Sequence, residues 1–332
     1  MTVVYVSDDN YAHLLGISLL SLYASNVKDD EINVFIIDDG ISQSNKEKIK
    51  RTSARYGREV KFYNANLSIS IYGMGKWPAN IFYRLFFLTI LGDELRDDRV
   101  LYLDCDTIIT DRITELINID LEGNACAAVY ECMSKMHKRN CCLDDSWPYY
   151  NSGVLLMDVK KWRELEVEKR VGELIDLNHE KKMEYPDEGI INYVLKGKIK
   201  TLAPRYNLTT IKCVFSYQEL KLYRKSRFMY NESDYDDAKI RPCIIHFTNS
   251  FLVRRPWQNG VGHEHPMVNY YLKFKNDSEW KEMKAADEQA GAIKKLARVL
   301  FSFNGIFCTF FTGVIYSYIK PLKYDVMIVS KD

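Results

Sequence analysis

Neither sign of charge dominates this 332-residue chain, in which 46 Lys and Arg stand against 45 Asp and Glu for a formal net charge of +1. Such a surface has no global attraction for a polyanion, and the sequence has no helix-turn-helix, zinc-finger or basic-stripe pattern, so no nucleic-acid partner is expected. The opening residues, Met1-Thr2-Val3-Val4-Tyr5-Val6, lack the basic region and cleavable apolar stretch of a secretion signal, and a cytoplasmic location is expected. The 8 cysteines form no Cys-x-x-Cys pair and no even framework. They read as reduced thiols, and Cys132, His137, Cys141 and Cys142 crowd one loop too closely for a tetrahedral zinc set. Where a Gly-rich phosphate loop would follow the first strand, the chain has Ser7-Asp8-Asp9-Asn10, which argues against a nucleotidyltransferase. With 47% hydrophobic and 27% charged residues, the chain can bury a full core, as one large domain with an appendage or as two domains.

The first half alternates strand and helix patterns. Strands are expected at 2–7, 32–37 and 59–63, separated by helices at 11–23 and 44–56, the latter capped by Ser42 or Ser44. This βαβαβ series implies a parallel sheet with right-handed crossovers. A Gly- and Pro-rich loop at 72–78 leads to a helical stretch at 79–91. Further strands are predicted at 99–103, 125–130, 152–158 and 243–247, and helices at 160–178 and 188–196. Residues 133–147 are charged, aromatic and aperiodic, the profile of a functional loop, and 201–249 is tyrosine-rich and irregular.

The chemistry is expected at Asp104-Cys105-Asp106, directly after the apolar run Val100-Leu101-Tyr102-Leu103. In extended chain Asp104 and Asp106 project to one side while Cys105 points away, so two hard oxygen ligands converge where open α/β sheets collect ligands. Near the C-terminus, Lys281, Lys284, Lys294, Lys295 and Arg298 precede an aromatic, apolar span at 299–320 that contains Asn304 and ends on Lys320. That profile suits a segment lying in a membrane interface better than one crossing it, with a packed helix as the alternative.

Five segments, in their order, resemble the retaining family 8 glycosyltransferases. They are Val3 to Tyr11, Val100 to Asp106, Tyr150-Asn151-Ser152-Gly153 to Asp158, Tyr185-Pro186-Asp187-Glu188 to Asn192, and Ile245-His246-Phe247 with Arg255-Pro256-Trp257. The resemblance implies an α/β, single GT-A type nucleotide-sugar domain over residues 1–275, with a mostly parallel sheet flanked by helices; the remaining residues, 276–332, read as the membrane-associating extension that their basic and aromatic profile suggests. It implies a metal-dependent hexosyltransferase that uses a UDP-hexose donor and a glycan or glycolipid acceptor, and the C-terminal profile adds a place at the inner face of the cell membrane. The 133–147 loop and the tyrosine-rich stretch 206–235 are then expected to wall the acceptor site, because aromatic faces stack on sugar rings, with an ordinary tyrosine-rich core as the alternative. Asp104, Asp106 and His246 match the metal ligands, and a nitrogen among oxygens favours Mn²⁺ over Mg²⁺.

The resemblance further puts Val6, Asp8 and Asn10 on base and ribose, although Asp8 and Asn10 equally suit a helix cap. Arg84, Asp104, Cys105, Asp106, Asn151, Ser152 and Asp187 fall at donor positions, with Glu131 near sugar or acceptor. Buried in so apolar a stretch, Arg84 needs an anion, either a diphosphate or Asp104. Arg255, or its neighbour Arg254 across a longer insert than the family has, would reach the phosphates. Asp187, Glu188 and Asn151 are the catalytic candidates; the family commonly has Gln where this chain has Glu188, which would stabilise an oxocarbenium-like centre, act as a weak nucleophile, or merely favour a helix N-terminus. A non-catalytic scaffold with a decayed site is opposed by the intact Asp104, Asp106, His246 and Asp187.

Overall fold

The computed structural model describes residues 1–28, 32–65, 77–260, 263–288, 291, 298–299, 301 and 305–329. Residues 72–76 of the Gly-rich loop, and Lys294 and Lys295 of the basic stretch, lie outside them. Strand β1 (Thr2–Ser7) has Val3, Val4 and Tyr5 fully inaccessible in succession, so both its faces are covered. It sits between β2 (Asn33–Asp38) and β4 (Arg99–Leu103), parallel to both, and β3 (Val60–Asn64) extends the sheet in parallel beyond β2. The crossovers are the helices Ala12–Ser25 and Gln43–Ala54, and Ser42 is the cap of the second, its hydroxyl accepting from the Asn45 N–H.

On the other side of β4 the direction changes. β7 (Val154–Asp158) runs antiparallel to β4 and to β6 (Cys126–Ala128), and β8 (Ile199–Thr201) closes the order β3-β2-β1-β4-β7-β6-β8. The sheet is mostly parallel, with β7 reversed. Pairing Leu103 with Val154 places residues 151–153 against the Asp104 end of β4, where the Asp104 N–H donates to the Gly153 carbonyl at 2.8 Å. A second, three-stranded sheet has the order β5-β10-β9, from β5 (Thr107–Ile109), β9 (Leu208–Thr209) and β10 (Ile244–His246). Residues 104–106 are therefore the turn by which the chain passes from one sheet to the other. His246 pairs with Thr107 in this second sheet, which returns it to that turn.

Successive residues of β1 and β4 feed opposite cores, as a period of two requires. Val3, Tyr5, Leu101 and Leu103 pack with the Ala12–Ser25 helix, while Val4, Val100 and Tyr102 pack with Phe82, Phe86, Phe87 and Trp162. The Cys105 side chain joins the first core, and all eight cysteines are free thiols.

Three expectations need correction. The stretch at 133–147 is not an irregular loop: it contains the helix Lys135–Asn140, and Met133, Cys141, Leu143 and Tyr149 form a small apolar core. Residues 201–249 hold three helices, Thr210–Val214, Tyr217–Arg224 and Glu232–Ile240, with Tyr223 and Tyr235 buried in a core cluster rather than lining a cleft. The stretch at 79–91 is 3-10 over Ala79–Phe86 and α-helical only over Phe87–Leu91.

The C-terminal segment folds as a helix, Gly305–Val314, followed by a π-helical turn, Ile315–Ile319. Its helix lies on Tyr217–Arg224 so closely that a Cβ at Gly313 would stand 2.4 Å from the Leu222 carbonyl oxygen. Beyond it the chain returns along the main body of the fold, where the Met327 N–H reaches the Asn140 carbonyl at 2.8 Å and the Ile328 N–H reaches Asn178 Oδ1 at 2.6 Å. Among the described residues no helix is long and apolar enough to cross a membrane.

Candidate functional site

At the turn between the two sheets, Asp104, Asp106 and His246 each direct one donor atom into a common space, all three atoms lying within 4.8 Å of one another. His246 Nε2 is 3.0 Å from Asp106 Oδ1 and 3.5 Å from Asp104 Oδ2. Burial favours a protonated Asp106, but His246 and Arg255 outweigh it and hold the carboxyl below its ordinary range. His246 shows the complementary effect, burial pulling it down and Asp106 raising it further.

The chemistry of the donor set fits a divalent cation. The other ring nitrogen, His246 Nδ1, lies 3.0 Å from Asn207 Oδ1, and Asn207 Nδ2 donates to Asn151 Oδ1 at 2.7 Å. With the Asn207 carbonyl accepting from Nδ1–H, the Nε2 lone pair is presented to the two carboxylates, the arrangement that metal-ligating histidines use. Gly153 makes the close approach possible, since a Cβ there would be 2.3 Å from His246 Cε1 and 2.7 Å from Asp104 Oδ2.

Cationic groups flank the cluster on two sides. Arg84 Nη1 is 2.9 Å from Asp104 Oδ1, its Nε is 3.7 Å from Asp187 Oδ2, and its plane lies over the Tyr102 ring. Of the two anions considered for this buried arginine, the structure therefore supplies Asp104. Burial would lower the Arg84 guanidinium, but Asp104 overrides it and the group stays charged. Arg255 Nη2 is 3.6 Å from Asp106 Oδ2, whereas Arg254 turns to Glu264 at 3.8 Å. Of the pair left open by the sequence, Arg255 is the one at the cluster.

The acids at the start of the helix Pro186–Val194 face the same space. Ser152 Oγ donates to Asp187 Oδ2 at 3.2 Å, and Glu188 Oε2 accepts from Asn151 Nδ2 at 3.1 Å and from the Ser152 N–H at 3.2 Å. Burial first, then the neighbouring Glu131 and Asp187, push the Glu188 carboxyl well above its ordinary value. Asp187 is raised for the same first reason, with Arg84 opposing. Glu131 bonds Asn151 Nδ2 at 3.2 Å and is paired with Arg224.

Toward β1 the groups are more open. The Asp8 carboxylate accepts from the Tyr11 N–H at 3.0 Å and the Asn10 amide at 3.2 Å, bracing the turn before the Ala12–Ser25 helix, whose N-cap is Tyr11 rather than either residue, with no side-chain cap bond. The Val6 carbonyl accepts the Cys105 thiol at 3.1 Å, so that side chain lies beneath the site. Asn207, Gly153, Arg224 and Tyr102, whose hydroxyl donates to Asp104 Oδ1 at 2.6 Å, were not singled out by sequence. Only Tyr102 had a readable signal, since it lies two residues before Asp104 on one side of a strand.

With this geometry in hand, the family model for Glycosyl transferase family 8 matches residues 2–259. General stress protein A of Bacillus subtilis is 25% identical over 291 residues, covering 84% of this chain and 94% of its own length. Lipopolysaccharide 1,2-glucosyltransferase of Escherichia coli K12 is 26% identical over 295 residues, covering 87% and 82%. Among solved structures, galactosyltransferase LgtC in complex with donor and acceptor sugar analogs superposes with a TM-score of 0.65 at 23% identity, covering 84% of this chain and 96% of that one. At that identity the likeness speaks for the α/β GT-A fold.

Proposed function

Because the chain belongs to glycosyltransferase family 8, we propose that it moves a hexose, glucose or galactose, from a UDP-sugar to a glycan or lipid-linked saccharide in the assembly of cell-surface polysaccharide or lipopolysaccharide. The observation that carries this reading is the convergence of Asp104, Asp106 and His246 within 4.8 Å, with Arg84 and Arg255 beside them. The named sugar transferases among the relatives support the substrate class.

Asp104, Asp106 and His246 would hold Mn²⁺, or Mg²⁺, which when bound compensates the charge of a diphosphate leaving group. Arg255 approaches the diphosphate with a planar fork, and Arg84 holds Asp104 and Asp187 in place. Asn151, Ser152 and Asp187 orient the sugar. Glu188, held by Asn151 and Ser152, would stabilise a cationic anomeric centre as its carboxylate. Retention of configuration follows if the acceptor attacks from the face the diphosphate leaves. A screen of UDP-glucose and UDP-galactose without acceptor should find slow hydrolysis of one donor that stops on chelation. Undiminished turnover in chelator would sink the metal assignment.

The same reading has the protein peripheral at the inner face of the membrane. Ile306, Phe307, Phe310, Phe311 and Ile315 are between 45% and 64% exposed, with the exposed Lys323 following. Aromatic and apolar groups bordered by a lysine suit the headgroup region of an anionic bilayer. Wild-type protein should co-sediment with phosphatidylglycerol vesicles and the double substitution F310S/F311S should reduce this at least fivefold; equal recovery of both would reject the anchor.

A further inference from the structure

Anchoring accounts for the exposed face of the C-terminal segment but not for its buried one. We propose that Tyr316, on that buried face, is a positioning residue for the sugar site, acting through Arg224 on Glu131. The Tyr316 ring is stacked on Tyr223 at 4.7 Å and 24°, and lies 4.7 Å from the His137 ring. Its hydroxyl accepts from Arg224 Nη1 at 2.5 Å, and the other terminal nitrogen, Nη2, donates to Glu131 Oε1 at the same distance. Glu131 Oε2 in turn accepts from Asn151 Nδ2 at 3.2 Å, the amide that also bonds Glu188. A guanidinium is a rigid planar fork, so fixing one tine on Tyr316 fixes the direction in which the other presents itself to Glu131.

All the intermediate groups are buried, Arg224 at 6% and Glu131 at 8% exposure, where a displaced charge has no water to compensate it. The segment is also pinned beside this chain of contacts. Ser317 Oγ donates to the Tyr223 carbonyl at 2.8 Å, and Ser134 Oγ donates to the Ser317 carbonyl at 2.8 Å. Lys320 pairs with Glu184, whose carboxylate also lies 3.1 Å from His137 Nε2. Against the pull of burial, His137 and Lys320 lower the Glu184 carboxyl to about 2, so it stays a carboxylate in the neutral range. The C-terminal segment thus packs directly behind the groups that hold Glu131 against Asn151.

Tyr316→Phe keeps the stacked ring and removes only the hydroxyl. It should lower kcat about fivefold, change the donor KM less than twofold and leave the melting temperature within about 2 °C of wild type. The discriminating measurement is the same substitution in a Glu131→Gln background, where the further loss should be under about 1.5-fold because the link it acts through is already cut. Arg224→Lys provides a second background with the same expectation should Glu131→Gln turn over too slowly. An equal cost in both backgrounds, or no cost in wild type, overturns the proposal. The inference rests on the hexosyl-transfer reading: an inactive wild type sinks that reading, while an active wild type with an unaffected Tyr316→Phe sinks this inference alone.

Discussion

Asp104→Asn should reduce hexose transfer by about 10³-fold or more while the protein remains folded, because a cation-supported departure of diphosphate cannot proceed once a charged ligand becomes an amide. The substitution is nearly isosteric, and the Tyr102 hydroxyl, 2.6 Å from Asp104 Oδ1, can still donate to an amide oxygen. What is lost is charge. Arg84, 2.9 Å away, loses its nearest anion, although Asp187 at 3.7 Å remains to neutralise it. Breaking a buried ion pair commonly costs about 3–5 kcal/mol, and the second carboxylate should keep the loss below that range. Initial rates on the preferred UDP-hexose, with circular dichroism as the check on folding, decide the matter; a variant retaining a tenth of wild-type activity would contradict the assignment of Asp104.

Gly153→Ala should be nearly as damaging for a purely steric reason. Ordinary contact begins at about 3.4 Å, yet a Cβ at residue 153 would lie 2.3 Å from His246 Cε1 and 2.7 Å from Asp104 Oδ2. The new methyl thus pushes apart two of the three groups that converge on the cation space, and its backbone is fixed by the hydrogen bond from the Asp104 N–H. A misplacement on the order of 1 Å commonly costs about 10²-fold in rate, and that loss is expected in kcat together with weakened Mn²⁺ binding. Gly172→Ala, in the helix Val167–Asn178 and with nothing within 4 Å of its new Cβ, is the control and should be neutral or slightly stabilising. If both substitutions behaved alike, the packing of Gly153 would not be what holds the cluster together.

The half of the fold built from βαβαβ units was legible because each element there is long and strongly patterned, as in β1 with its uninterrupted Val3-Val4-Tyr5 and the polar helix capped by Ser42. The reversal of β7 carries no local signature: a strand covered on both faces reads the same in either direction. The helix Lys135–Asn140 was missed because six residues are too few to establish a period, and because Lys138, fully buried and reaching Asp145 at 3.0 Å, looks like a surface residue in sequence. The tyrosines at 223 and 235 read as sugar platforms but are core, since aromatic residues serve both ends.

Within the site the same division holds. Asp104 and Asp106 announce themselves by their spacing at a strand end, whereas His246, a lone histidine after an apolar strand, is legible only through the resemblance that Arg255-Pro256-Trp257 completes. Asn207, which orients His246, precedes a strand of only two residues and has no pattern at all. Arg224 and Tyr316 lie 93 and 185 positions from Glu131 and share with it nothing that a linear reading detects. Partners of buried charges are set by tertiary packing, and only the folded chain names them.

The central claim is that Asp104, Asp106 and His246 bind a divalent cation together with the diphosphate of a uridine nucleotide. Calorimetric titration of UDP into the wild-type protein, with Mn²⁺ and then with chelator, tests it most directly. Mn²⁺ should tighten UDP binding at least tenfold, and the coupling should vanish in Asp104→Asn. UDP binding of equal strength in chelator, or coupling that survives in Asp104→Asn, would contradict the account.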